Sequence, residues 1–254
     1  MIEQNTRYFI EIAYDGTAYH GWQVQDNAVS VQQKLNEALA ILLRQEVETT
    51  GAGRTDTGVH ATQLYVHFDA DAPILSNPDR FLHSLNALLP FDIAVKTLIP
   101  VSANAHARFD AKERSYEYHV HFEKNPFLHQ YSWFLRDFPD LERMNQAASY
   151  LLGKKDFSCF SKSNTQVFTN ICDIKRAEWM EHDGKLVFHI SADRFLRNMV
   201  RAIVGTLMDI GLGKKPIAYM EEVIASKDRG KAGTSVPACG LYLTRINYPY
   251  IEKK

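Results

Sequence analysis

Cysteine is scarce in this 254-residue chain: Cys159, Cys172 and Cys239 are an odd number without metal-like spacing. That argues against a disulfide scaffold and a cysteine zinc site, and reduced thiols in a cytoplasmic protein are expected. Long apolar runs are also missing. None approaches the roughly eighteen residues a membrane-spanning helix needs, so no membrane span is expected. The opening MIEQNTRYFIEIAYDG frames a short apolar run with Glu3 and Glu11, so no secretory leader is expected. Net charge is nearly absent at −1, which argues against an electrostatic grip on nucleic acid by the whole surface. The near-neutrality hides an asymmetry. Residues 1–100 carry 6 basic and 12 acidic side chains, and the remainder 23 and 18, so a local basic surface is expected on the second half. No internal repeat or low-complexity segment is visible.

What is present is an ordinary globular balance, 45% hydrophobic and 23% charged. The length suits one large domain or two of ordinary size. RYFIEIAY (7–14) reads as a strand ending at Asp15-Gly16. Ser30-Val-Gln-Gln33 is a capping box for a helix through about Gln45, with Val31, Leu35, Ala38, Leu39 and Leu42 on one face. QLYVHFDA (63–70) is a strand. Asn77-Pro78 starts a helix with Phe81, Leu82, Leu85, Leu88 and Leu89 on its apolar face, which Pro90 ends. IAVKTLI (93–99) is a third strand. RSYEYHVHF (114–122) alternates, with Tyr116, Tyr118, Val120 and Phe122 on one face and Ser115, Glu117, His119 and His121 on the other. A helix is expected from about Leu141 to Leu152, closed by Gly153. A hairpin is expected at Asp183-Gly184. A long helix follows over 194–211, then one opened by Pro216, and LYLTRINY (241–248) is the last strand. Strands and helices interleave around mixed sheets, which predicts an α+β protein of two similar halves, 1–100 and 101–254.

The segment GAGRTDTGVHA (51–61) invites comparison with a dinucleotide fingerprint. Its glycines fall as GxGxxxxG, and it follows a helix and leads into a strand, the reverse of that motif. A surface turn is the plain alternative. Against it stands the crowding of Arg54, Asp56 and His60 among three glycines, which let a backbone approach a ligand closely.

This segment resembles the signature loop of the tRNA pseudouridine synthase A family (the TruA family). YDGTAYHGWQVQ (14–25), VQQKLNEAL (31–39), LNALLPFDIAV (85–95), HARFDAKERSYEYHV (106–120), NPF (125–127), DFSCFSK (156–162) and FLRNMVRAIVG (195–205) also match, in the family's order. One departure stands at TNICDI (169–174), where Cys172 occupies a stretch in which the family's pattern has an arginine. The resemblance implies the pseudouridine synthase fold: two α/β halves forming a continuous mixed sheet, helices packed on it, and a central RNA-binding cleft. The first half carries the catalytic Asp loop, and the second the Tyr strand and Arg helix. It also implies isomerisation of uridine to pseudouridine at tRNA positions 38, 39 and 40 by a homodimer. The reaction has no redox step and no net proton change, so no cofactor and no metal are expected.

By the same resemblance Asp56 is the catalytic nucleophile or base toward the ribose. Arg201 keeps it ionised. Tyr116 is the base for the C5 proton or a stacking partner for uracil. Taken alone, Tyr116 reads as a core tyrosine. Arg194, Arg197 and Arg201, three and four apart, share a face of the expected helix, while Phe195, Met199, Ile203 and Leu207 pack inward. Such a stripe is by itself a solvated surface, and through the resemblance Arg194 and Arg197 become RNA contacts, with Arg54 and Arg108. His20 and His60 read as structural hydrogen-bonders, and His119 and His121 make no convincing metal pair. The loop Tyr14–Trp22 is suited to lie against nucleic acid, or is a turn packed by its own rings. Besides an isomerase acting on tRNA, a non-catalytic RNA-binding paralogue of the same fold stays open. Asp56, Arg201 and Tyr116 together favour the enzyme. A small-molecule nucleotide enzyme would need a phosphate loop opening a helix, and none is found.

Overall fold

The computed structural model describes residues 6–70, 76–162 and 168–251. Glu3, used above in reading the start of the chain, lies outside them. The described elements in chain order are β1 (Thr6–Tyr14), α1 (Val31–Leu43), β2 (Thr50–Gly51), β3 (His60–Ala70), α2 (Pro78–Leu88), β4 (Ile93–Val101) and β5 (Glu113–His121). They continue as β6 (Trp133–Phe134), α3 (Leu141–Ser149), β7 (Gly153–Asp156), β8 (Ile171–His182), β9 (Lys185–Ala192), α4 (Met199–Gly211), α5 (Tyr219–Ser226) and β10 (Leu241–Asn247). This is an α+β fold. It divides into two compact units, Met1–Lys112 with Leu243–Lys254, and Glu113–Tyr242.

In the first unit β1 lies between β4 and β3, antiparallel to both. Flanked on both sides, β1 buries Tyr8, Phe9, Ile10, Ile12 and Tyr14. Its register against β3 slips between Ile12 and Tyr14, a bulge at the end of the strand. Helix α1 begins as expected: Ser30 accepts from the Gln33 N–H at 3.2 Å, and Val31, Leu35, Ala38 and Leu39 are buried. It stops at Leu43 because Arg44 turns left-handed, φ 56°. Helix α2 is capped by Asn77, which accepts from the Arg80 N–H at 2.9 Å. Its Phe81 and Leu85 are buried while Leu88 stays exposed. The C-terminal residues close this unit. The Lys112 N–H donates to Asn247 O at 2.8 Å, and the Tyr250 hydroxyl donates to Asp110 at 2.8 Å.

In the second unit β9 lies between β5 and β8, antiparallel to both, and β7 lies outside β8. Strand β6 runs parallel to β5, which makes the sheet mixed. The expected hairpin joins β8 to β9 with Asp183 and Gly184 at φ 50° and 70°, the left-handed pair of a tight two-residue turn. Asn145 of α3 clasps β8 by accepting from the Trp179 N–H at 2.7 Å and donating to Trp179 O at 3.0 Å. Burial pushes the thiols of Cys159 and Cys172 up to about 12, so they pack as small hydrophobes.

Four expectations need correction here. The helix expected over 194–211 begins only at Met199. Asn198 is left-handed at φ 65°, which breaks the helical path, so Arg194 and Arg197 precede α4 and share no helix face with Arg201. The helix expected to Leu152 ends at Ser149, and the one opened by Pro216 starts at Tyr219. His121, placed on a polar face, is buried. The Leu135 N–H donates to its carbonyl at 2.9 Å, and the Phe134 ring covers its imidazole with centroids 5.5 Å apart.

Candidate active site

The glycine loop runs from β2 to the start of β3, and a second loop, residues 14–25, supports it from behind. The Trp22 N–H donates to Thr55 O at 3.3 Å, and the Gly58 N–H donates to Tyr19 O at 3.3 Å. The Tyr14 and Thr55 hydroxyls are 2.8 Å apart. Two glycines make the approach possible. A Cβ on Gly16 would lie 2.0 Å from Val59 O, and one on Gly21, whose φ is +90°, would lie 2.3 Å from Thr55 O. No other residue fits either place.

Tyr14, Tyr19 and Trp22 are 4%, 4% and 1% exposed. Their rings therefore pack behind the loop, while Thr17, Ala18 and His20 of the same segment are exposed. Tyr19 donates to Asp92 at 2.6 Å, and burial followed by that carboxylate pushes its phenol well above the ordinary range. His60 is buried and structural. Its Nδ1 lies 3.1 Å from both the Gly16 amide and an Asp15 oxygen. The amide is an obligate donor, so Nδ1 accepts from it, and Asp15 is satisfied by the Thr17 N–H and hydroxyl at 2.9 and 2.6 Å.

From this support the loop presents Asp56, half-buried, and Arg54, exposed. The Val59 N–H donates to Asp56 O at 3.1 Å, closing the turn around the carboxylate-bearing residue. Arg54 Nε donates to the Gln23 side chain at 3.2 Å. Also in the first unit, Arg108 stands exposed in a turn whose Ala107 N–H donates to His67 Nδ1 at 3.1 Å. Burial and the nearby Arg7 push His67 down to about 4, so the ring is neutral and accepts that bond. Phe109, next to Arg108, leaves 72% of its surface in solvent.

The second unit holds Tyr116 and Arg201. Tyr116 is half-buried on β5, with the Phe195 ring edge-on at 5.1 Å and 85°. Tyr118, two residues on, is fully buried, and its hydroxyl donates to Pro237 O at 2.8 Å. Of the two tyrosines on this face, only Tyr118 is the core residue the alternation allowed. Arg201 on α4 is half-buried. Its Nε donates to Val236 O at 2.7 Å, and the Val236 N–H donates to Arg201 O at 3.3 Å. This clamp takes one of the five guanidinium N–H donors and sets the plane of the fork. Arg194 is half-buried and Arg197 exposed. The backbone of Arg197 accepts from the Lys162 N–H at 3.1 Å. Cys172 is buried on β8 and presents no cation.

The Tyr14–Thr55 pair and the Val236 clamp carried no signal in the linear pattern. Both are contacts between residues more than thirty apart.

Comparison with known proteins follows the same lines. The chain matches a family model described as tRNA pseudouridine synthase over residues 11–110 and 147–249. It is 50% identical over 246 residues to the tRNA pseudouridine synthase A of Bacteroides thetaiotaomicron, covering 96% of this chain and 91% of that protein. To the protein of the same name from Bacteroides fragilis it is 49% identical over 244 residues, 96% of each. The one from Acetivibrio thermocellus is 40% identical over 247 residues, covering 96% of this chain and all of that protein.

Proposed function

The chain belongs to the tRNA pseudouridine synthase family, and from that premise we propose that it isomerises uridine to pseudouridine in tRNA with Asp56 as the acting carboxylate. The observation that carries the residue assignment is the presentation of Asp56, half-buried on a loop pinned from behind. The reaction breaks the uracil N1–ribose C1′ bond, turns the base and joins C5 to C1′. The proton that leaves C5 is balanced by the one gained at N1. A carboxylate can enter by attack at C1′ or by removing a ribose proton, and both routes need one ionised oxygen held still.

Arg201 is the cationic partner of the reacting carboxylate in this reading, and its clamp on Val236, which fixes the plane of the guanidinium, is consistent with that role. Tyr116, half-buried beside Phe195, stacks on the base or takes the C5 proton. The target uridine must be turned out of its stack, at a cost of a few kcal/mol. Contacts from Arg54, Arg108, Arg194 and Arg197 to phosphates offset that cost and position the RNA without reading its sequence. The same reading places the modified uridines at positions 38, 39 and 40 of the anticodon stem–loop. It makes the working unit a cytoplasmic homodimer. No described helix is long and apolar enough to cross a membrane.

The test is tritium release from tRNA carrying 5-tritiated uridine, since forming the C5–C1′ bond expels that atom. The wild-type protein releases it. Asp56→Asn, with the same size and no charge, binds tRNA with unchanged affinity and releases none. Release within a few-fold of wild type by Asp56→Asn would remove the assignment.

A further inference from the structure

We propose that Tyr14 is a positioning residue for this reaction, setting the place of Asp56 through Thr55. The inference rests on the reading that Asp56 carries the chemistry. Thr55 immediately precedes Asp56 and is held at both ends. Its hydroxyl meets that of Tyr14 at 2.8 Å, and its carbonyl accepts from the Trp22 N–H at 3.3 Å. Thr55 is 9% exposed and Tyr14 4%, so water does not compete for the pair. A turn of the Thr55 backbone would swing Asp56 about the peptide that joins them, and the hydroxyl pair opposes that turn.

The strand is built to deliver this contact. Between Ile12 and Tyr14 the register of β1 against β3 slips, so that Tyr14 pairs with Ala61. A bulge re-aims the side chain at the end of a strand. The Tyr14 ring stacks on Trp22 at 6.5 Å and 28°, and this packing does not need the hydroxyl. Replacing both partners of a buried hydrogen bond by apolar groups of the same shape is nearly neutral for stability. The pair therefore contributes more to placement than to folding, and the two roles can be separated.

The experiment measures single-turnover rate, tRNA dissociation constant and melting temperature for Tyr14→Phe, Thr55→Val, the double variant and Thr55→Ser. Each of the first two should slow turnover ~10–100-fold, the scale of a small misplacement of a reacting group, with tRNA affinity within about two-fold of wild type. The double variant should be no slower than the slower single, because both delete the same bond, and should melt close to wild type. Thr55→Ser keeps the hydroxyl and should keep the rate. Wild-type rates in both single variants would overturn the proposal, as would a double-variant loss equal to the product of the singles. If Tyr14→Phe fails to fold, the contrast of Thr55→Ser with Thr55→Val decides, and equal rates overturn the proposal. Undiminished release by Asp56→Asn would instead remove the underlying reading. An inactive Asp56→Asn beside normal Tyr14 and Thr55 variants would remove the positioning role alone.

Discussion

In the first unit Asp56 stands on irregular backbone whose support comes from another loop, through a few hydrogen bonds and two glycine contacts. In the second unit Tyr116 stands on β5 in continuous register with β9, and Arg201 on a helix with most of its residues buried. The means of holding differ accordingly. A strand residue moves only if the strand moves, so its place survives most changes nearby. A loop residue is placed by individual contacts, and one atom added behind it can displace it. Substitutions in the second unit should thus separate chemistry from structure, while substitutions that add bulk behind the loop should disturb both.

The sharpest probe of that contrast is Tyr116→Phe. The register holds the ring in place, so only the hydroxyl is lost. If it takes the C5 proton, single-turnover product formation should slow ~10²–10⁴-fold with tRNA affinity nearly unchanged. A near-normal rate with a stability loss of ~0.5–1.5 kcal/mol would leave Tyr116 as a packing residue. The counterpart in the first unit is Gly16→Ala. The added carbon would meet Val59 O at 2.0 Å, so backbone must shift. A stability loss of ~1–3 kcal/mol is expected together with slower turnover, measured by denaturant melts and tritium release. An Ala variant that lost neither would show the loop to be more compliant than its contacts imply.

A smaller effect concerns binding alone. Arg194→Ala and Arg197→Ala should each flatten the slope of log affinity against log salt by ~0.7–0.9. Arg201→Ala should lower the rate and leave that slope alone. Unchanged slopes for the first two would place them on the solvated surface. The smallest effect is a pH dependence that His67 contributes in the first unit. His67 titrates near 4 in the fold against 6.5 for a free imidazole. Between those values the unfolded chain binds a proton that the folded chain does not, so stability should decline by ~1–2 kcal/mol as pH falls from about 6.5 to 4. His67→Asn keeps an acceptor for the Ala107 N–H and should flatten that decline in melting temperature. An unaltered pH profile would mean that His67 titrates normally.

The comparison also explains what the sequence disclosed. Local patterns were reliable where one residue decides the backbone. Ser30 and Asn77 cap their helices, and Asp183-Gly184 turns its hairpin. They misled where a distant element intervenes. His121 alternates with polar neighbours, yet Phe134 covers it. The arginine spacing at 194, 197 and 201 suits a helix, yet Asn198 in the left-handed region starts that helix late. The glycine loop stands out as a candidate site by the crowding of Arg54, Asp56 and His60 among its glycines and by its resemblance to the family's signature loop. The reason for Gly16 and Gly21 could not be read in the same way, because the backbone they meet, at Val59 and Thr55, lies more than thirty residues on in the other loop. Two readings of the loop Tyr14–Trp22 stayed open for the same reason: aromatic composition does not say which side of a loop is covered.

The return of the chain from Leu243 into the first unit has a consequence for biosynthesis. The Ile246 N–H donates to the Gln63 side chain at 2.8 Å, and the Tyr248 hydroxyl donates to Ala107 O. A polypeptide leaves the ribosome N-terminus first, and its domains tend to fold as they emerge. Residues 113–242 are contiguous, so the second unit can close without any later residue. The first unit, begun earlier, must wait for the residues from Leu243 onward before its sheet is whole. The unit that carries Asp56 therefore matures after the other, and a nascent chain stalled before Leu243 would hold a finished Tyr116 strand while the unit bearing Asp56 stayed incomplete.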